Sequence, residues 1–249
     1  MRSQRVVVTG SSGAIGSATC QAFLADGWSV VGLDRVPPEG GLVGRIEYYE
    51  CDLSDSAAIA NVMDRIKIGG PIDALVNNAA VQVNKSLLKT TDEEWDLAMN
   101  TNVRSAFLTM REAHQSLIAS GGAVVNVASV HAVATSANVA AYAASKGALV
   151  ALTRAAAVEL AEAGVRCNAI LPGAVDTPML RDGLSRRPHP DGPDGNLLVL
   201  IDRTPLKSVA DPFEIAASIV FLADSTKSSF ITGQAIVVDG GVTARLSSE

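Results

Sequence analysis

Apolar, mostly β-branched runs recur along the chain, and between them apolar positions return every three or four residues. The runs fall at Arg5–Thr9, Ser29–Leu33, Ile46–Cys51, Ala74–Asn77, Ala123–Ala128, Val165–Leu171 and Ala235–Val238. Several are apolar nearly throughout instead of alternating, the pattern of parallel strands covered on both faces. Helical spacing fills the gaps over Ala14–Asp26, Asp55–Lys67, Thr91–Ala98, Val103–Ala119, Ala140–Ala163 and Pro212–Ala223. Strand alternating with helix predicts an α/β fold, a doubly wound seven-stranded parallel sheet flanked by helices. No repeat and no linker divides it, so one domain over residues 1–249 is expected.

One segment departs from this order. Over Arg181–Asn196 the chain reads RDGLSRRPHPDGPDGN, whose prolines and glycines break any periodicity, and an irregular, mobile excursion is expected. It follows the C-terminal end of a strand, where open α/β sheets bind ligands, which makes residues at about 178–208 a candidate substrate lid. A surface loop without ligand contact fits the composition equally.

The first strand runs into a glycine-rich turn and then a helix, VVVTGSSGAIGSATCQAF from Val6 to Phe23. Gly10 allows the tight turn, Gly13 tolerates unusual backbone angles, and Gly16 brings the helix close to the sheet, leaving N–H groups aimed at a pyrophosphate. Gly10, Gly13, Ile15 and Gly16 are therefore candidate cofactor-binding positions in a Rossmann-type fold, although the spacing differs from GxGxxG. Asp34 ends the next strand, eighteen residues beyond Gly16. A carboxylate there can accept both adenosine ribose hydroxyls and repel a 2′-phosphate, which favours NAD over NADP. The adjacent Arg35 pulls the other way, and Asp34 can also be a plain turn residue.

Composition narrows the field. The 249 residues carry a net charge of −6 without a dense basic stripe, so nucleic acid is not an expected partner. The apolar start reaches Gly10 too soon for a secretory or membrane segment, and a cytoplasmic protein is expected. Three cysteines, Cys20, Cys51 and Cys167, lack CxxC spacing, and the three histidines form no ligand set, so neither a disulfide framework nor a metal site is suggested.

In YAASK, Tyr142 and Lys146 stand four apart and share one face of a helix. In isolation such a pair is an ordinary polar rim. Its surroundings change that, because the chain resembles the short-chain dehydrogenase/reductase family over nearly its whole length. The resemblance is carried by TGSSGAIG (Thr9–Gly16), CDL (Cys51–Leu53), NNAA (Asn77–Ala80) and Asn102 followed by Phe107. Ser129, YAASK, PGAVDT (Pro172–Thr177) and ITGQAIVVDGG (Ile231–Gly241) complete it. Ala14 and Ala80 stand where the family usually has glycine. The resemblance implies that Asp52 and Leu53 flank the adenine, Asn78 lies near the adenosine ribose, and Val175 and Thr177 hold the nicotinamide carboxamide. Asp52 can instead cap the next helix, and Val175 can be core.

The implied reaction moves a hydride between NAD and a small secondary alcohol or ketone, and the alcohol oxygen must exchange a proton. Tyr142 is the expected acid/base. Its ordinary pKa of about 10 would have to fall by roughly 2 to 3 units, and the Lys146 ammonium favours the ionised phenol. Lys146 can also hydrogen-bond the nicotinamide ribose. Ser129, thirteen residues before the tyrosine at a strand end, can donate to the substrate oxygen. By resemblance, Asn102 holds a water linking the lysine to solvent; it can also cap the helix from Val103.

Gln82 and His131 resemble positions at which 3-hydroxybutyrate dehydrogenases of this family hold a carboxylate, yet the lysine expected ten positions after the serine is Val139 here. His131 can equally be a wall residue, and Arg186, Arg187 and His189 on the candidate lid can attract an anion or simply be solvated. An NADPH-dependent 3-oxoacyl-thioester reductase is an alternative that Asp34 opposes, and a non-catalytic NAD sensor would not need Ser129, Tyr142 and Lys146 together. Relatives of this kind assemble as homotetramers or dimers through the helices over Val103–Ala119 and Ala140–Ala163, and the same is expected here.

Overall fold

In a computed structural model that describes residues 3–246, the seven apolar runs become strands within one or two residues of expectation. They are β1 (Arg5–Thr9), β2 (Ser29–Asp34), β3 (Glu47–Glu50), β4 (Ala74–Asn77), β5 (Ala123–Val127), β6 (Arg166–Pro172) and β7 (Ala235–Val238). All pair in parallel in the order β3-β2-β1-β4-β5-β6-β7. Winding reverses between β1 and β4, the crevice where such sheets hold ligands at their C-terminal edge. Successive side chains point to opposite faces, so Val7 joins one core layer with Leu75 and Val124, while Val6 and Val8 join the other with Val76 and Val125.

The helices are α1 (Ala14–Ala25), α2 (Ser56–Ile68), α3 (Asp92–Met99), α4 (Ser105–Ser120), α5 (Ala140–Leu160), α6 (Pro178–Ser185), α7 (Gly192–Arg203), α8 (Pro212–Ala223) and the single-turn α9 (Ser225–Ser228), beside short 3-10 turns. Phe23 of α1 and Ile215, Ile219 and Leu222 of α8 cover one face of the sheet; Ile59 and Ile66 of α2, Leu117 of α4 and Ala157 of α5 cover the other. Helix starts follow local chemistry. Asp55, not Asp52, caps α2 by accepting from the Ala57 amide at 2.8 Å. Thr91 with Glu94, and Asp211 with Glu214, form reciprocal capping boxes, and Pro212 sits in the first turn where its missing N–H costs nothing.

Two segments correct the sequence reading. Residues 181–196 are not an irregular excursion: α6 runs through Arg181 to Ser185, only 186–191 turn, and α7 begins at Gly192. Pro178 and Pro193 each lie in a first helical turn, so they start these helices instead of breaking them. The helix expected from Val103 has no separate start there, and α4 proper begins at Ser105. A π-helical turn, Asn100–Arg104, joins α3 to α4 without interruption, so Asn102 is not an N-cap.

A buried polar chain ties the sheet centre to α4 and α5. Asn77 donates to Asn126 Oδ1 (2.9 Å), Thr109 donates to Asn77 Oδ1 (2.7 Å), and Asn126 donates to Thr153 Oγ1 (2.9 Å). With its members paired, such a network fixes where α5 lies over the sheet.

Candidate active site

A cleft of about 1130 Å³ opens along the C-terminal ends of the strands, from the turn after β1 to α6. At one end, the glycine turn brings the N-terminus of α1 against it. Gly10 has φ +65°, and a Cβ there would stand 2.8 Å from Ala79 Cα; a Cβ on Gly16 would stand 1.9 Å from Gly10 O. Gly10 and Gly16 therefore pack as tightly as expected, whereas Gly13 takes ordinary extended angles (φ −69°, ψ 163°) instead of unusual ones. Gly13, at the N-cap of α1, has no side chain to give, so the first amides of α1 lack a side-chain acceptor and remain suited to an anion. Gly10, Gly13 and Ile15 line the cleft, while Gly16 packs beneath.

Asp34 lies beside this turn. Its Oδ2 accepts from the Ser12 amide (3.0 Å) and its Oδ1 from the Arg35 amide (2.7 Å), so it is a turn former whose carboxylate is held in place facing the cleft. Asp52 accepts from the Ser54 amide (2.9 Å) and hydroxyl (2.7 Å), which hold its carboxyl below the usual value, with a contribution from the Arg35 charge. Leu53 is buried at the cleft wall. Asn78 reaches the cleft, but its amide donates back to Thr9 O (3.1 Å) and Gly10 O (3.0 Å). It braces the glycine turn. The residues present thus fit a dinucleotide: free helix-terminal amides for a pyrophosphate, with a fixed carboxylate at the ribose end.

Ser129, Tyr142 and Lys146 converge on the middle of the cleft. Ser129 ends the extension of β5 and accepts from the His131 amide (3.2 Å), so it is both turn former and cleft group. Tyr142 and Lys146 lie one turn apart on α5, with the amine 5.5 Å from the centre of the phenol ring. Burial, offset only in part by a hydrogen bond with Ser129, leaves the Tyr142 phenol pushed up to about 12. Burial brings Lys146 down to about 7 while its Nζ donates to Val127 O at 2.7 Å. The direction on the phenol is opposite to the sequence expectation. Lys146 is itself 1 % exposed, so the free chain taxes the cation before that cation can favour a phenolate.

Asn102 stands behind this group, 2 % exposed. Its Oδ1 accepts from the Val81 amide (2.8 Å), and its Nδ2 donates to Val81 O (2.9 Å) and Ser145 Oγ (2.9 Å). The side chain clasps the segment after β4 and touches α5 one residue before Lys146. Val175 is buried in the core and pairs with Ala210, and Thr177 caps α6 by accepting from the Leu180 amide (3.2 Å); both also line the cleft.

At the other end, Gln82 donates to Asn84 Oδ1 (2.8 Å), and His131 packs edge-on to the Tyr142 ring, centroids 5.7 Å apart. Burial and the Arg187 charge hold the imidazole below its ordinary value. Arg186 and Arg187 line the cleft; His189 instead accepts from the Asp191 amide (3.1 Å) outside it. Sequence reasoning passed over Asn84, Lys85 and Lys89, which line the same end. They lie in a segment without periodicity, and no motif marks them. Among the described residues no cluster of His, Cys, Asp or Glu is arranged to hold a metal, and no helix is long and apolar enough to cross a membrane.

A doubly wound sheet with an anion-ready helix terminus and a Ser–Tyr–Lys group at its C-terminal edge defines an oxidoreductase of the nicotinamide-dinucleotide class. The chain belongs to the short-chain dehydrogenase/reductase family: the family described as enoyl-(acyl carrier protein) reductase matches residues 10–243. The chain is 32% identical to a 3-oxoacyl-[acyl-carrier-protein] reductase of Thermotoga maritima, covering 95% of this chain and 96% of that protein. It is 33% identical to a cyclopentanol dehydrogenase of Comamonas sp., covering 96% of each. Ligand-free aldohexose dehydrogenase of Thermoplasma acidophilum superposes with a TM-score of 0.92 at 30% identity, covering 99% of this chain and 96% of that one. The family uses NAD(P), and these relatives differ in the substrates they are named for.

Proposed function

We propose that the protein transfers a hydride between NAD and a small secondary alcohol or ketone, with Tyr142 as general acid/base. The observation that carries this reading is the meeting of Ser129, Tyr142 and Lys146 in one cleft with the uncapped N-terminus of α1. Gly10, Gly13, Ile15 and the first amides of α1 would hold the pyrophosphate. Asp34 would hold the adenosine ribose, its fixed carboxylate disfavouring a 2′-phosphate. Asp52 and Leu53 would border the adenine, and Val175 and Thr177 the nicotinamide end. Bound nicotinamide supplies the hydride acceptor or donor.

The chain's own residues handle the proton. In oxidation, the Ser129 hydroxyl orients the substrate oxygen and Tyr142 Oη takes its proton. Lys146 stabilises the phenolate, and a phenolate in turn stabilises the ammonium, so each raises the population of the other's charged form. Asn102 positions these groups by joining Val81 to Ser145. Residues 178–208 act as the substrate lid, since Pro178, Leu180, Gly183 and Leu184 of α6 and Leu200 of α7 line the cleft. Exposed Phe107 and Ile118 on α4 and Val158 on α5 support homo-oligomeric assembly through those helices.

The test is Tyr142→Phe assayed by NADH formation on a panel of cyclic alcohols, hydroxy acids and sugars, beside calorimetry with NAD. Turnover should fall by about 10² to 10⁴-fold with NAD affinity retained, and unaltered turnover would reject the assignment. The likeness to a 3-oxoacyl-thioester reductase supports a second reading, reduction of acyl thioesters with NADPH. Turnover of thioesters alone, with NADPH preferred to NADH, would favour it.

A further inference from the structure

Charge is divided unevenly along the cleft. The carboxylates that line it, Asp34 and Asp52, both stand at the adenosine end. The opposite end is lined by Lys85, Lys89, Arg186 and Arg187, with no carboxylate. Two of these cations are already paired: Lys85 with Glu94, and Arg186 in a two-pronged contact with Asp182 at 3.0 Å on each prong. Lys89 and Arg187 are not, and no side-chain hydrogen bond or ion pair engages either among the described residues. Arg187 follows the C-terminus of α6 and is held through its backbone, its amide donating to Leu184 O (3.2 Å) and its carbonyl accepting from Asn196 (2.9 Å). The guanidinium is therefore anchored at its root and unspent at its tip. Its charge also reaches His131, whose ring stacks edge-on against the Tyr142 phenol.

We propose that the substrate is an anionic secondary alcohol or ketone, whose carboxylate or phosphoryl group is held by Arg187, with Lys89 adding positive charge, while its carbinol carbon faces Tyr142. This rests on the hydride-transfer reading and narrows its substrate class. A guanidinium pairs with either oxyanion through two parallel hydrogen bonds, and because Arg187 and Lys89 are both exposed the attraction is one that added salt screens. Lys85 and Arg186 take no direct part, because their partners neutralise them.

The experiment compares charged and neutral members of matched pairs. β-Hydroxybutyrate and γ-hydroxyvalerate are assayed with NAD beside their methyl esters, and dihydroxyacetone phosphate with NADH beside dihydroxyacetone; cyclopentanol is the uncharged reference. The charged member of at least one pair should have a kcat/KM about tenfold or more above its neutral partner at low salt. That preference should shrink with added salt, and whether the hydroxy-acid or the phosphate pair shows it tells the two anions apart. Arg187→Gln should bring the ratio towards one by raising KM for the charged member, and Arg187→Lys should restore part of it. Neutral members turned over as well as charged ones, or a ratio that Arg187→Gln leaves unaltered, overturns the inference while leaving hydride transfer intact. Absence of turnover with every compound, cyclopentanol included, overturns both.

Discussion

Burial of Lys146 makes a measurable claim on stability. Its amine falls from an ordinary 10.5 to about 7 because burial penalises the ammonium. The unfolded chain keeps this proton up to the ordinary lysine range, whereas the folded chain releases it near the lower value. Between roughly pH 7 and pH 10, then, the unfolded state binds more protons, and this group makes the fold more stable as pH rises. At about 1.4 kcal/mol for each pH unit, the cost approaches roughly 5 kcal/mol in acid and shrinks by about 2 kcal/mol between about pH 7 and pH 9. Lys146→Met removes the titration and keeps most of the stem's volume. It also leaves Val127 O without its donor, a pH-independent loss of about 1–3 kcal/mol. The assay is urea unfolding of the cofactor-free protein, variant beside natural chain, across that range. The advantage of the variant should fall by about 2 kcal/mol from pH 7 to pH 9, whatever its absolute size, since the other titrating groups are common to both. A difference that stays constant within about 0.5 kcal/mol would refute a buried amine titrating in this window. The same variant should be inactive, so a stabilised, inert protein is the expected phenotype at neutral pH.

Other substitutions probe the cofactor end. Gly16→Ala places a Cβ 1.9 Å from Gly10 O and 2.9 Å from Asn78 Nδ2, so the turn must open. A stability loss of about 1–3 kcal/mol and a clear weakening of NAD binding by calorimetry are expected; native-like affinity would dissociate the turn from the cofactor. Asp34→Asn keeps an acceptor for the Ser12 amide but removes the charge, and the NAD:NADP ratio of kcat/KM should fall by about tenfold. An unchanged ratio would mean that Asp34 only shapes the turn.

The strands were legible because β1, β4, β5 and β6 are buried along their whole length and hence mostly apolar, their few buried polar residues, such as Asn77 and Asn126, being paired by hydrogen bonds. The Ser–Tyr–Lys group was legible because helical periodicity and motif spacing agree. What was not legible depends on tertiary context. Residues 181–196 read as a breaker-rich loop, yet Pro178 and Pro193 sit where proline is tolerated, a distinction composition does not carry. Thr91 and Asp211 announce their helices through their own side chains, whereas the π turn at Asn100–Arg104 has no local signature. The titration of Tyr142 and Lys146 likewise follows from the depth of burial, not from their spacing.

A wide turn between two helices accommodates one residue more than a regular helix of that length would hold, without rotating the flanking faces. Residues 100–104 are accordingly a place where chain length and helix phase are decoupled. Loss of a single residue there would leave α3 facing α5 and α4 facing the sheet as before, but would withdraw the amide of Asn102 from its grip on Val81 and Ser145. The architecture is indifferent to that residue; the clasp that joins the segment after β4 to α5, one residue before Lys146, depends on it.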